Sequence, residues 1–157
     1  MKRITLGING FGRIGRTLFR LLDREPGIHV GLVNDLADPT TLAHLLKYDS
    51  IHGVFSKSPK AGSDYFEIGG EQTRVTRFEN PADISWKETG VDLVIEATGR
   101  FKTRESLEKH LHAGAPKVLL CAPPTEDSIP MIVYGINHET LTAADLIFSN
   151  ASCTTHN

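Results

Sequence analysis

The 157-residue sequence has little cysteine, no long hydrophobic run and almost no net charge. Its two cysteines, Cys121 and Cys153, lie apart with no C-x-x-C spacing. That argues against a disulfide framework and points to a reducing, cytoplasmic setting. A net charge of −2 offers no basic surface to nucleic acid or to an anionic membrane. The aromatic residues are mostly Phe and do not alternate with basic ones, so no base-stacking surface is expected. The apolar-leaning run after Met1-Lys2-Arg3 is too short for a signal peptide and far too short to span a bilayer. Histidines are scattered, and His110 and His112, two apart on a predicted helix, point to different sides. No metal site is expected, for want of ligand spacing. No repeat, low-complexity run or linker interrupts the chain. What remains is a globular composition, 39% hydrophobic and 23% charged, long enough for one domain with a sizeable core.

Against that background one segment stands out. A short apolar run ends in Gly10-Phe11-Gly12-Arg13-Ile14-Gly15, a G-x-G-x-x-G placed where a first strand turns into a helix. About 20 residues further on, after a second apolar run, comes Asp35. Each part has a job in holding a dinucleotide. Gly10 permits the tight turn, Gly12 lets the backbone approach a pyrophosphate, and Gly15 lets the helix pack closely on the strand. The helix N-terminus offers N–H groups and a positive dipole end to the phosphates. Asp35, at the end of strand two, is in reach of a ribose 2′-hydroxyl. The plainer alternative is a glycine turn with no ligand. The strand before it, the helix after it and the acid at the right distance favour the dinucleotide site.

The rest of the pattern alternates strand and helix. Arg3–Asn9 is predicted as a strand and Arg13–Arg24 as an amphipathic helix, with Ile14, Leu18, Leu21 and Leu22 as its core stripe. His29–Asn34 is predicted as a strand, and Asp38-Pro39-Thr40 opens a helix through Leu42, Leu45 and Leu46. A loop from Lys47 enters a hairpin of Asp64–Ile68 and Gln72–Arg77 around Gly69-Gly70. Asn80-Pro81-Ala82-Asp83 opens a helical turn. Strands are predicted at Val91–Ala97, Lys117–Ala122, Met131–Gly135 and Leu146–Ser149, with a helix at Thr103–Ala113. This alternation predicts an α/β fold of Rossmann type: a doubly wound, mostly parallel sheet with helices on both faces.

The chain ends in Asn150-Ala151-Ser152-Cys153-Thr154-Thr155-His156-Asn157 after an apolar strand. Ser152 is a good helix N-cap, with Thr154 and Thr155 in the first turn. A cysteine there sits in the positive end of the helix dipole, which favours the nucleophilic thiolate. The competing reading is an inert buried cysteine.

Six segments, in order, resemble the glyceraldehyde-3-phosphate dehydrogenase family. They are Gly7–Arg16, Asn34-Asp35-Leu36, Lys47-Tyr48-Asp49-Ser50-Ile51-His52-Gly53, Gly90–Gly99, Val133-Tyr134-Gly135-Ile136-Asn137-His138 and Ser149–Thr155. The resemblance covers essentially the whole chain but only the N-terminal half of the family's protein. It implies that Cys153 attacks an aldehyde, that hydride passes to NAD, and that inorganic phosphate releases an acyl phosphate from the thioester. By the same resemblance Ser152 and Thr154 serve a substrate or phosphate pocket. Arg13 and Ile14 give N–H groups to the pyrophosphate, and Asp35 binds the adenosine ribose and repels NADP. Thr98, Gly99 and Phe101 line the groove, while Asn9 supports the loop around Gly10, Phe11 and Gly12. The family works on sugar phosphates and forms homotetramers.

Departures from the family's pattern accompany the likeness. Glu79 takes the place of an arginine whose backbone meets the adenine. Cys121 replaces a hydroxyl residue that contacts the cofactor. His156 and Asn157 stand where the family usually has Asn-Cys, either as two substitutions or with His156 inserted ahead of the usual Asn, and three residues past Cys153 His156 is a candidate substitute base. Residues 1–151 are expected to be the dinucleotide-binding domain and 152–157 the start of a truncated catalytic domain. Such an excised piece is expected to be inactive alone. Two alternatives stay open: erythrose-4-phosphate dehydrogenase, suggested by Leu36-Ala37-Asp38, Ala43–Asp49 and Val133-Tyr134-Gly135, and a non-catalytic NAD-binding module.

Overall fold

The computed structural model describes residues 3–154. The first unit is the strand–helix–strand predicted from the glycine pattern. Strand β1 (Ile4–Asn9) runs into helix α1 (Arg13–Leu22), and β2 (Ile28–Asn34) pairs in parallel with β1. Asp38 caps helix α2 (Pro39–Lys47), accepting from the Thr41 N–H at 3.0 Å. That bond and one from the Thr41 hydroxyl hold the Asp38 carboxyl below its usual range.

A small hairpin, β3 (Tyr48–Asp49) and β4 (Gly53–Val54), follows, then β5 (Lys60–Ala61), β6 (Tyr65–Ile68) and β7 (Glu71–Thr76). A 3-10 turn at Pro81–Asp83 and a short helix α3 (Trp86–Thr89) lead to β8 (Leu93–Glu96). Helix α4 (Arg104–His112), with Thr103 and Ser106 as a reciprocal cap, precedes β9 (Val118–Leu120) and β10 (Ile147–Ser149).

The main sheet has the order β10-β9-β8-β1-β2-β7-β6-β5. It is parallel from β10 to β7 and antiparallel from β7 to β5. The chain leaves β1 toward β2 on one side and returns to its other side as β8. The topological switch point therefore lies at β1, where open α/β sheets hold their ligands, outside the C-terminal strand ends.

One apolar cluster holds Ile8, Phe11, Phe19, Val33, Leu42, Leu46 and Phe66. Phe11, Phe19 and Phe66 meet with ring centroids 5.5–5.6 Å apart, in edge-to-face and tilted contacts worth about 0.5–1.5 kcal/mol per pair beyond their burial. A second cluster gathers Leu32, Ile84, Trp86, Val94, Leu107, Val118, Leu120 and Ile147.

Two expectations are corrected. The core stripe of α1 is Gly15 and Phe19, flanked by half-buried Leu18 and Leu22, while Ile14 and Leu21 are 53% and 58% exposed. The cause is Gly15. A Cβ there would lie 2.2 Å from the Gly10 carbonyl oxygen, so this face of the helix rides directly on the turn and turns Ile14 outward. Met131–Gly135 does not form a strand; only Met131 makes a bridge, to Ser149. The Asn137 side chain bonds the Val133 N–H and the Met131 carbonyl at 2.7 and 2.9 Å, folding the segment on itself. Among the described residues no helix is long and apolar enough to cross a membrane.

Candidate functional site

At the switch point the backbone makes its turn at Gly10 with φ +91°, a conformation that favours glycine. A Cβ at Gly10 would also lie 2.7 Å from the Thr98 nitrogen, so the turn is pressed against the loop after β8. Gly12 is different. Nothing stands within 4 Å of where its Cβ would be, which leaves open space beside the first turn of α1. The first intrahelical bond runs from Arg16 N–H to the Gly12 carbonyl, so the Arg13 and Ile14 N–H groups belong to the unsatisfied first turn. Open backbone and a helix N-terminus together fit a diphosphate.

Asp35 stands one residue past β2 and faces this turn. Its Oδ2 accepts from the Phe11 N–H at 2.7 Å and its Oδ1 from the Ala37 N–H at 3.1 Å. Each carboxylate oxygen keeps a further lone pair for a ligand hydroxyl. The groove these elements frame has a volume of about 240 Å³. Its walls bring together Asn9, Gly10, Gly12, Asp35, Glu79, Thr98 and Phe101 from the sequence reading. They add Asn34, Leu36, Phe78, Ala97 and Arg100, which the reading missed.

Below the groove lies a buried polar chain. Glu96, 1% exposed at the end of β8, accepts from Asn9 Nδ2 at 2.6 Å and from the Thr98 N–H at 2.8 Å. The Thr98 hydroxyl also donates to it. His110 Nε2 of α4 lies 3.0 Å from Glu96 Oε2, and Trp86 Nε1 donates to His110 Nδ1 at 3.1 Å. On the other side Asn9 Oδ1 accepts from Asn34 Nδ2 at 2.8 Å. Asn34 in turn bonds Thr76 and both backbone polar groups of Phe78. A continuous run of satisfied polar groups thus crosses the C-terminal ends of β8, β1, β2 and β7.

The remaining predicted residues fall into three groups. The Phe11 ring is 1% exposed and belongs to the core, so only its backbone serves the turn. Gly99 follows Thr98 with φ +72°, and Arg100 on the same wall pairs with Glu79 at 3.4 Å, both side chains well exposed. Cys121 lies just past β9, half-buried against the first cluster, and its N–H bonds the Glu96 carbonyl at 2.9 Å. Burial, helped by the Glu96 carboxylate, pushes its thiol up to about 11. The structure gives Cys121 a packing role below the groove rather than a place on its wall.

Cys153 is exposed, beyond the end of edge strand β10. Strand β10 itself lies three strand spacings from β1, about 14 Å across the sheet. Among the described residues no helix follows Cys153. Instead Ser152 Oγ accepts the Thr154 N–H at 3.3 Å and lies 3.0 Å from Thr154 Oγ1. That is the side-chain-to-backbone contact of a helix cap. Ala151, missed by the sequence reading, holds φ +63° and is buried. Its N–H bonds Ser149 Oγ at 2.9 Å, which fixes the exit of the chain toward Cys153. His156, the candidate substitute base, lies outside the described residues, as does Thr155.

A second cavity, about 100 Å³, lies near the start of β2, with Arg3, Asp23, His29, Lys57 and Glu71 on its walls. Its polar groups pair with one another, the Arg3 guanidinium and the His29 ring with Glu71 and Lys57 with Asp23. Among the described residues no group of acidic, His or Cys side chains could hold a metal ion.

A family model described as "Glyceraldehyde 3-phosphate dehydrogenase, NAD binding domain" matches residues 4–104. The glyceraldehyde-3-phosphate dehydrogenase of Lactococcus lactis subsp. lactis is 43% identical over 153 residues, 98% of this chain and 45% of its own length. That of Mycoplasma pneumoniae is 46% identical over 155 residues, 99% of this chain and 46% of its own. That of Geobacillus stearothermophilus is 46% identical over 154 residues, 98% of this chain and 46% of its own. The chain thus spans just under half the length of these relatives.

Proposed function

The chain belongs to the glyceraldehyde-3-phosphate dehydrogenase family, in its NAD-binding domain, and on that premise we propose that it holds NAD at β1 for an aldehyde oxidation at Cys153. The observation that carries the reading is the Asp35 carboxylate, bonded to the glycine turn and lining the groove beside open backbone. Asp35 binds the adenosine ribose through its remaining lone pairs. Its negative charge disfavours a 2′-phosphate, so NAD is taken over NADP. The N–H groups of Arg13 and Ile14 and the open face of Gly12 receive the pyrophosphate. Phe11 contributes its backbone, while Thr98, Gly99 and Phe101 form the facing wall. Glu79 and Arg100 stand at the rim.

The Cys153 thiolate adds to the aldehyde carbon of a sugar phosphate, giving a thiohemiacetal. NAD supplies the hydride acceptor that converts this to a thioester. Inorganic phosphate then cleaves the thioester, forming the acyl phosphate and returning the Cys153 thiolate. Ser152 and Thr154 present hydroxyls beside the sulfur, for the substrate or its phosphate. Residues 1–151 act as the cofactor domain, and the catalytic half begins at Ser152. The base and the remaining substrate contacts come from that half of the full-length protein, so this chain alone binds NAD without turnover. The full-length protein assembles as a homotetramer. The exposed apolar side chains of Tyr48, Ile51 and Val54 on the β3–β4 hairpin support an assembly surface.

The test uses the full-length protein with NAD, phosphate and either glyceraldehyde 3-phosphate or erythrose 4-phosphate. NADH formation is expected with the three-carbon aldehyde and lost in Cys153→Ser. A Cys153→Ser variant that kept full activity would refute the assigned nucleophile. A preference for the four-carbon sugar would move the protein to the erythrose-4-phosphate reading.

A further inference from the structure

Resting on the NAD reading of the groove, we propose that Glu96, held by a neutral His110, is the residue that positions the glycine turn against the Thr98–Gly99 wall. Glu96 touches no part of the open groove itself. It acts through Asn9, next to Gly10, and through Thr98, on the opposite wall.

Hydrogen-bond accounting sets the tautomer of His110. Trp86 Nε1–H can only donate, so His110 Nδ1 must accept. The imidazole proton then sits on Nε2 and points at Glu96 Oε2. A doubly protonated His110 would turn an N–H toward the indole N–H. Glu96 meets four donors: Asn9 Nδ2, His110 Nε2, the Thr98 N–H and the Thr98 hydroxyl. A carboxyl group so surrounded has its geometry fixed from three sides. Removing one donor at this depth leaves a buried acceptor short of a partner, a larger cost than the bond itself is worth.

The same bonds set the width of the groove. Asn9 is tied to Asn34 on its far side, so it cannot shift without disturbing β2 and the Phe78 backbone. Thr98 N lies 2.7 Å from where a Gly10 Cβ would be. The two walls are therefore at closest approach beside Glu96, and a small displacement there changes the space offered to a diphosphate. Helix α4 and Trp86, on the side of the sheet away from α1, are thereby joined to the ligand edge through one imidazole.

Two measurements on the 157-residue chain test this. In the first, nitrogen-15 spectra of the wild type read the His110 tautomer directly. Protonated Nε2 with bare Nδ1 is expected; a proton on Nδ1 overturns the inference, and this result does not depend on any variant folding or on NAD binding. In the second, His110→Gln and His110→Leu are compared at low temperature, with the fold of each checked by circular dichroism. Gln keeps an N–H for Glu96 and an oxygen for Trp86, whereas Leu keeps neither. His110→Gln is expected to hold NAD affinity within about threefold of wild type, and His110→Leu to lose about tenfold. The Asn9 side-chain and Thr98 backbone amide resonances should shift in the Leu variant and return in the Gln variant. Equal NAD affinity and unmoved Asn9 and Thr98 amides in both variants would refute the positioning role. If the wild type bound no NAD, the NAD reading would fall, while the tautomer and amide shifts would still judge Glu96 and His110.

Discussion

The groove beside Asp35 and the cavity beside Glu71 are both polar, and they differ in what their polar groups do. Near the start of β2, Arg3 and Glu71 bond each other at 2.7 and 2.9 Å, His29 adds to the same carboxylate, and Lys57 closes on Asp23. Their charges are spent on each other. At the C-terminal ends of the strands, Asn9, Asn34, Glu96 and His110 are almost fully buried and satisfied below the surface, while Asp35, the Gly12 backbone and the first turn of α1 remain directed outward. A ligand site is a place where fixed groups keep unused capacity; a cavity of mutually paired charges is a stability feature with a hollow in it.

That contrast can be broken in several ways. The largest effect is expected from Gly15→Ala, whose Cβ would sit 2.2 Å from the Gly10 carbonyl oxygen. Lifting α1 off the turn should cost about 1–3 kcal/mol by denaturant titration. It should also abolish measurable NAD binding at temperatures where the fold survives. Retained binding would show that the close helix–turn contact is not needed at the ligand edge.

Next comes Cys121, which reports whether the ground beneath the groove is sealed. Its thiol is raised from 9.0 to about 11, so its thiolate fraction near neutral pH should be about 100-fold lower than in the unfolded chain. Cys153, exposed, should be modified by a thiol reagent well before it. Because the folded form holds the proton more tightly, the related stability is present below pH 9 and fades as pH rises toward 11. Fast labelling of Cys121 in the native chain would contradict a sealed edge.

Asp35→Asn should lower NAD affinity about tenfold, the loss of one charge-assisted contact of about 1.5 kcal/mol. It should narrow the difference between NAD and NADP, with the fold intact by circular dichroism. The smallest effect belongs to the opposite cavity. Arg3 holds the Glu71 carboxyl below its usual range, chiefly through their hydrogen bond. Glu71→Gln should therefore lower the melting temperature slightly at pH 7. The difference from wild type should shrink as pH falls through the lowered Glu71 range, where the wild type loses the same charge. NAD affinity should not change in that variant. A loss of affinity there would mean that the two cavities are coupled.

The ligand edge was legible in the sequence wherever its chemistry is local. The glycine spacing, the strand before it and the acid beyond it placed Gly10, Gly12, Gly15 and Asp35 in the positions the structure gives them. The helix start at Asp38-Pro39, the Gly69-Gly70 hairpin and the Asn80-Pro81 turn followed from short-range bonding in the same way. What escaped depends on tertiary contact. Ile14 and Leu21 share the apolar spacing of α1, but only the press of Gly15 on Gly10 decides which flank is buried. Met131–Gly135 has strand-like residues, and Asn137 diverts their backbone groups. The Glu96–His110–Trp86 chain joins residues far apart in sequence. Its one advance signal was Glu96, which with Asp92 is one of two acids in the predicted strand Val91–Ala97 and follows the apolar run Leu93-Val94-Ile95, where a carboxylate has no place unless partners await it.

The most direct test is calorimetric titration of the 157-residue chain with NAD and with NADP in parallel. One NAD per chain is expected, with NADP weaker by about tenfold or more and Gly10, Gly12, Asp35 and Thr98 among the amides that shift on binding. No heat with NAD, equal affinity for the two nucleotides, or shifts confined to the Arg3–Glu71 cavity would contradict the NAD reading.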